Sequence, residues 1–427
     1  DKVLNTILDD SIELPKVLVQ GLTNNSSKVK KGFIFFAYKG DNFDGNEFIE
    51  DAFNNGACLA ISDSDKLESQ KNVIKVDDVR TAAGIACSNF YNFPQNKVKL
   101  IGITGTNGKT STSTILKSIL DAENEKTLQI GTSGIKPSLD INSGLTTPDI
   151  FDLYEILNHA VNKGFKNVVL EVSSHSLSQR RIENISFDIT AFTNLTLDHL
   201  DYHKTMEEYF FEKLKLFDLN KKNGSSVVMI DDKYGKRISE LNSNAKCISL
   251  ENKDVDYSCT SFRINDLGIT GTLAWDSKTL DFQSKLFGSF NLENLILAAA
   301  IAVELNISRQ SISEGIKNCT NIDGRLHLVE NKINQMIFLD YGHTPDAYLK
   351  VLKTLKDNFS HPLKVLFGAG GGRDKSKRPK MAEVVERYSV ECYLAPDNPR
   401  FEDIESINND VIKGFSNENH HIFNDRK

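Results

Sequence analysis

A chain of 427 residues exceeds one ordinary core and suits two or three domains. Its 51 basic and 58 acidic residues leave a net charge of -7 with no basic stripe, which argues against a nucleic-acid partner. Six cysteines (Cys58, Cys87, Cys247, Cys259, Cys319, Cys392) lie far apart, giving no zinc or disulfide pattern, and no apolar run reaches the roughly 18 to 20 residues of a membrane span.

The expectation is a soluble, cytoplasmic, monomeric protein without membrane contact. Because Asp1 is not Met and no signal-peptide layout precedes the first elements, the chain is expected to be a piece of a longer one.

Short apolar runs at Phe33–Ala37, Cys58–Ile61 and Val73–Val76, separated by a helix-compatible stretch from Asn46 to Asn54, predict a small α/β domain over residues 1–95. After a turn at Asn92–Gln95, the strand Val98–Ile103 runs directly into Gly105-Thr106-Asn107-Gly108-Lys109-Thr110-Ser111 and a helix. Buried-strand runs recur at Val168–Leu170, Ile189–Phe192 and Val227–Ile230 with helical patterns between, as a parallel sheet requires. From Tyr257 to Phe287 the pattern alternates, with Gly268, Gly271 and Asp276 at turn-like positions, predicting an antiparallel meander within a second domain, 96–323. A third α/β domain, 324–427, begins with strands Met336–Leu339, Val365–Phe367 and Glu391–Leu394 and ends after His421–Phe423.

Chemistry concentrates after the strand Val98–Ile103. A glycine-rich turn opening a helix presents backbone N–H groups to phosphate; Lys109 would neutralise the β/γ-phosphates and Thr110 would bind Mg²⁺. The loop is shorter than G-x-x-x-x-G-K-[ST], and the plain alternative is a glycine turn with an incidental lysine. Glu171, at the end of Val168–Leu170, stands where a neighbouring parallel strand places a metal ligand; taken alone it is more often a helix N-terminal charge. Asp198-His199-Leu200-Asp201-Tyr202-His203 suits cation binding or proton handling, and equally a solvated loop.

Taken with Thr146-Thr147-Pro148-Asp149, Glu171 to Leu177, Thr193 to His199, Gly288 to Asn294, Asp340 to Asp346 and Asp397-Asn398-Pro399-Arg400, the loop Gly105 to Thr110 makes the chain resemble the Mur ligases over nearly its whole length. That family's fold is a UDP-binding α/β domain, a central P-loop ATPase-like sheet and a Rossmann-like C-terminal domain. The resemblance implies two Mg²⁺ ions, one on Thr110 and Glu171 and one on Glu171 and His199, with Lys213 converted by CO₂ to a carbamate that reaches metal. It implies that Asn291 and Asn294 bind adenine, although both could instead cap a helix N-terminus, and that Arg325 and Asp340 face the phosphates and ribose of ATP. Ser26, Thr146, Thr147, Ser173, Gln179 and Arg181 would contact a UDP-N-acetylmuramoyl dipeptide. Asn25 and Lys28 replace the Asp and Arg usual beside Ser26, which puts those flanking contacts in doubt.

Asp397, Asn398, Pro399 and Arg400, with Arg373, match an amine site in which arginine grips the distal carboxylate of meso-diaminopimelate; Gly372 replaces a usual acidic residue. The family's Gly-Lys-Gly-His-Glu motif would fall beyond Lys427, so part of that site is expected to lie outside this sequence. The implied activity is ATP-dependent amide ligation in bacterial peptidoglycan synthesis, through an acyl phosphate. A lysine-adding relative, a folylpolyglutamate synthase-like ligase and a nucleotide-binding protein without turnover are the alternatives. Residues 1–95 and Thr146 to Asp149 argue against the second of these.

Overall fold

The structure, a computed structural model, describes the chain except residues 1, 5–6, 8–17, 41–42, 66–71, 140, 142–143, 266, 334, 373 and 426–427. Near the N-terminus, four parallel strands pair in chain order, Gly21–Thr23, Phe33–Ala37, Ala57–Ser62 and Val73–Lys75. Phe35, Phe36 and Ala37 are all buried, as strands covered on both faces must be.

A ten-stranded sheet follows. Its parallel centre carries Asn220–Met229, Phe187–Phe192, Lys99–Thr104, Asn167–Glu171 and Thr127–Gly131 side by side. At one end the predicted meander is present, as Tyr257–Asn265, Gly268–Trp275 and Lys278–Ser284, antiparallel to one another. Gly271 does not turn the chain there. It lies mid-strand, paired with Phe282, and an added Cβ would meet that ring at 2.6 Å, so the glycine makes room for an aromatic neighbour. Gly268, at φ 119, does flank the connection between the first two strands, and Asp276 with Ser277, both at positive φ, turns the chain between the last two, as expected for both positions.

Helices Lys109–Ala122, Ser289–Glu304 and Arg309–Asn318 cover one face of this sheet and form one core with it, including Ile103, Ile115, Leu295 and Ile316. On the opposite side a single continuous core joins the first sheet to the second: Ile34, Phe36 and Ile61 cluster with Leu100, Phe151 and Leu170.

The last unit has its own core, with Phe367, Met381, Val385, Leu394 and Val411, around parallel strands Lys364–Phe367, Glu391–Leu394 and His420–Ile422. The expected first strand of that series departs from the prediction. Ile337–Leu339 pairs antiparallel with His327–Val329 in a separate two-stranded ribbon. Ile337 and Leu339 are exposed while Phe338 is half-buried, which is the alternation of a one-sided ribbon rather than a doubly covered strand.

Candidate active site

Strand Lys99–Thr104 lies between Asn167–Glu171 and Phe187–Phe192, so the loop after it and the end of its neighbour meet at one edge of the parallel sheet. The turn depends on backbone that only glycine adopts easily: Gly105 has φ 146 and Gly108 φ 87. A Cβ on Gly105 would lie 1.9 Å from Thr193 Oγ1, and one on Gly108 2.4 Å from Asn294 Oδ1. Gly108 is also the N-cap of helix Lys109–Ala122 and supplies no capping side chain, leaving the helix's first N–H groups available to an anion.

The loop's underside is fixed by the segment Thr193 to Thr196. Thr106 N–H donates to the Asn194 carbonyl (2.8 Å), Asn107 N–H to Asn194 Oδ1 (3.1 Å), and Thr193 Oγ1 to the Asn107 carbonyl (2.6 Å). Lys109 Nζ folds back onto the carbonyls of Gly105 and Thr106, 2.9 Å from each. Burial and the Arg325 guanidinium hold its pKa below the usual lysine value, against the raising effect of Glu171. Ser111 is buried in the same first turn.

Glu171 is the last residue of its strand and is wholly buried. Its Oε2 accepts from Thr110 Oγ1 (2.9 Å) and Thr132 Oγ1 (3.1 Å), whereas Oε1 is buried with no hydrogen-bond partner. The helix N-terminal reading of Glu171 therefore does not hold. A buried carboxylate oxygen with nothing to accept from beside a threonine hydroxyl and a phosphate loop is a fit for a divalent cation. Gly131 makes space for it, since a Cβ there would lie 2.0 Å from Oε1. Thr132 and Gly131 escaped sequence reading because neither residue type carries a signature until strands 127–131 and 167–171 pair.

His199, at φ 54, lies with Nε2 3.6 Å from Asp198 Oδ2 and its ring edge-on to His175. Burial pushes its pKa down to about 4 in spite of Asp198, so the imidazole is neutral at pH 7. Among the described residues, no three His, Cys, Asp or Glu side chains gather into a metal-sized group. Lys213 is 1% exposed, and its Nζ donates to the Gly105 carbonyl at 2.8 Å, which brings this helix residue directly under the phosphate loop. Burial first, and Lys109 second, hold its pKa well below that of a free lysine.

Asn291 and Asn294 are buried in the first two turns of Ser289–Glu304, whose N-cap is Gly288. Asn291 Nδ2 donates to the Phe287 carbonyl (2.8 Å), and Asn294 Oδ1 accepts from Thr112 Oγ1 (3.2 Å). Neither caps the helix, so that alternative is excluded; Asn294 instead lies against Gly108. Arg325 packs its guanidinium over the Tyr341 ring at 5.4 Å, and Asp340 accepts from Leu326 N–H (2.7 Å) and Gly342 N–H (2.6 Å).

A cleft of about 810 Å³ opens between the first two units, lined by Ser26, Lys28, Tyr38, Arg80, Asp149, Gln179 and Arg181 among others. Arg181 donates to the Thr147 carbonyl (3.1 Å) and to the Gln179 amide. Thr147 Oγ1 donates to the Glu171 carbonyl (2.8 Å) and accepts from Ser173 N–H (3.1 Å), tying this cleft to the phosphate loop's neighbour strand. Thr146 Oγ1 lies 3.1 Å from Thr132 Oγ1. Sequence reasoning missed Asn24, Tyr38, Arg80 and Asp152: Asn24 donates to the Tyr38 hydroxyl (2.6 Å), the Arg80 guanidinium lies 4.2 Å over the Tyr38 ring, and Lys28 pairs with Asp152 at 3.1 Å. Each is a common surface residue type, placed only by the fold.

Asp397, Asn398, Pro399 and Arg400 follow strand Glu391–Leu394. Arg400, at φ 52, donates to the Gly371 carbonyl and takes Asn398 Oδ1 on its N–H (3.1 Å). Arg373 lies outside the described residues.

Three family models match in chain order: "Mur ligase family, catalytic domain" over 18–91, "Mur ligase middle domain" over 103–302, and "Mur ligase, glutamate ligase domain" over 324–427. The chain is 40% identical over 408 residues to a UDP-N-acetylmuramoyl-L-alanyl-D-glutamate--2,6-diaminopimelate ligase of Caldanaerobacter subterraneus, covering 95% of this chain and 84% of that protein. An Aquifex aeolicus ligase of the same name is 40% identical over 399 residues, covering 93% and 82%. A solved structure of a ligase so named superposes with TM-score 0.73 at 30% identity, covering 98% of this chain and 87% of that one. These matches run over nearly the whole chain, and the chain belongs to the Mur ligase family.

Proposed function

We propose that this chain is an ADP-forming ligase that joins meso-diaminopimelate to UDP-N-acetylmuramoyl-L-Ala-D-Glu through an acyl phosphate, in the bacterial cytoplasm. The observation that carries the reading is the orphaned Oε1 of Glu171 beside Thr110 at the phosphate loop, connected through Thr147 to a cleft large enough for a UDP-sugar. We place the domain limits at 1–95, 96–323 and 324–427, with the uridine nucleotide proposed at the first interface and ATP at the second.

Thr110 and Glu171 would hold one Mg²⁺, and Glu171, His199 and carbamylated Lys213 a second. Bound Mg²⁺ supplies charge neutralisation for the phosphoryl group as it moves from ATP to the D-glutamyl carboxylate. Lys109 leaves the Gly105 and Thr106 carbonyls for the β- and γ-phosphates, and the helix N–H groups hold their oxygens. Burial holds the Lys213 pKa well below that of a free lysine, which favours the neutral amine; that amine's lone pair attacks CO₂, an N–C bond forms as one C=O π pair moves onto oxygen, and one proton passes to water. A buried amine thereby becomes an anion positioned for metal. Asn291 and Asn294 orient adenine, Arg325 and Asp340 the phosphates and ribose, and Gln179 and Arg181 the nucleotide substrate. Arg400 takes the amine's distal carboxylate.

Phosphate release tests the reading: UDP-dipeptide and ATP are supplied with diaminopimelate, lysine or glutamate. Release with diaminopimelate alone is expected. Preference for lysine would overturn the assigned amine, and no release with any amine would leave only a nucleotide-binding protein.

A further inference from the structure

One buried cation has no part in that chemistry. Arg378, in the first turn of helix Lys377–Tyr388, is 1% exposed. Its Nη1 donates to Glu402 Oε1 and Asp410 Oδ2, 3.0 Å each, and its Nη2 to Glu402 Oε2 (2.7 Å) and the Gly370 carbonyl (3.2 Å). The apolar residues Met381, Ala382 and Val385 already fasten this helix to the core, so a buried guanidinium is not needed to hold it.

What the guanidinium does hold is a pair of loops. Glu402 Oε2 also accepts from Gly372 N–H (3.0 Å), and Gly371 N–H donates to the Asn398 carbonyl (2.9 Å). The two loops touch so closely that a Cβ on Gly371 would lie 1.9 Å from the Pro399 carbonyl oxygen. The Arg400 guanidinium rests on the Gly371 carbonyl, so its position follows that of the glycine loop.

We propose that Arg378 is a positioning residue for amine selection: through Glu402 and Gly370 it clamps loop 370–372 against loop 397–402 and so sets where the Arg400 guanidinium meets a substrate carboxylate. The inference rests on the reading of Arg400 given above. A forked, planar guanidinium grips Glu402 with two parallel bonds and also reaches Asp410 and the Gly370 carbonyl, four hydrogen bonds where a lysine ammonium has three donors and no fork.

The test compares Arg378→Lys and Glu402→Gln in the full chain, each alone and with Arg400→Ala, measuring KM for diaminopimelate, ATP and the UDP-dipeptide and the diaminopimelate-to-lysine preference. Arg378→Lys is expected to raise the amine KM at least tenfold and reduce the preference by a similar factor, with the other two KM values within twofold. On the Arg400→Ala background the same substitution is expected to change the amine KM less than twofold, because both act through one contact. Equal effects on both backgrounds, or a parallel rise in all three KM values, would overturn the inference. Should Arg378→Lys fail to fold, Glu402→Gln, which keeps volume and one acceptor for Gly372, decides by the same criteria. An unchanged amine KM in Arg400→Ala alone would remove the reading beneath; a change there without one in Arg378→Lys would remove only the clamp.

Discussion

Lys213 shows how far a single residue's role is hidden in sequence. On helical pattern it is an ordinary surface lysine, and only the family resemblance singled it out; the fold buries it and sets its amine on the Gly105 carbonyl. Burial without a carboxylate partner is costly, so Lys213→Met is expected to stabilise the protein by about 1–3 kcal/mol at pH 7 in bicarbonate-free buffer while abolishing ligation. The pH dependence has a definite sign. The folded pKa lies well below 10.5, so the unfolded chain binds the extra proton between those values, and wild-type stability rises with pH across that window. Denaturant midpoints of wild type and Lys213→Met should therefore converge as pH rises toward 10.5; a gap that stays constant up to that pH would contradict a lowered Lys213 pKa.

Glu171 was legible from its place at a strand end, but its confinement was not. Gly131→Ala would push a methyl group onto Oε1. We expect ligation to fall by at least a hundredfold with the UDP-dipeptide KM little changed, and an unaffected rate would show that the carboxylate's position does not matter.

At the level of elements, the strands around the phosphate loop were readable because doubly covered parallel strands are continuous apolar runs, and the meander because its alternation is strict. The ribbon His327–Val329 with Ile337–Leu339 was not, since three-residue strands carry too little periodicity to name their partner. Helix contacts were invisible for the same reason. Gly315 brings helix Arg309–Asn318 so near the phosphate-loop helix that a Cβ would lie 2.3 Å from Ile119 Cα, and the Gly315 carbonyl accepts from Ser118 Oγ (2.7 Å). Backbone cannot yield as a side-chain tip can, so Gly315→Ala is expected to cost about 1–3 kcal/mol. Because the displaced helix begins at Lys109, the ATP KM should rise with the loss of Tm. A Tm within one degree of wild type, on the order of a few tenths of a kcal/mol, would show that the helices part freely.

Across the whole molecule, the order of the three units was legible from motif order, whereas the coupling between them was not. The first and second units share one core, with Phe36 and Phe151 rings 5.4 Å apart, and Arg80 and Arg180 bridge them through the Gln179 carbonyl (2.7 Å) and Asp78 (2.5 Å). The third unit keeps a separate core and meets the second through a small aromatic group, Phe287 with Phe338 and Phe359. Separate cores melt separately. Calorimetry of the ligand-free protein should resolve two transitions, the larger from the first two units together. A UDP-dipeptide, for which we propose the cleft within the larger unit, should raise that transition alone. MgATP should raise both, since Lys109 and Asn294 come from the second unit and Arg325 and Asp340 from the start of the third; at a hundred times Kd the gain is about 2.7 kcal/mol, divided between them. If MgATP moved only the larger transition, the third unit would take no part in holding the nucleotide, and the roles given to Arg325 and Asp340 would fall with it.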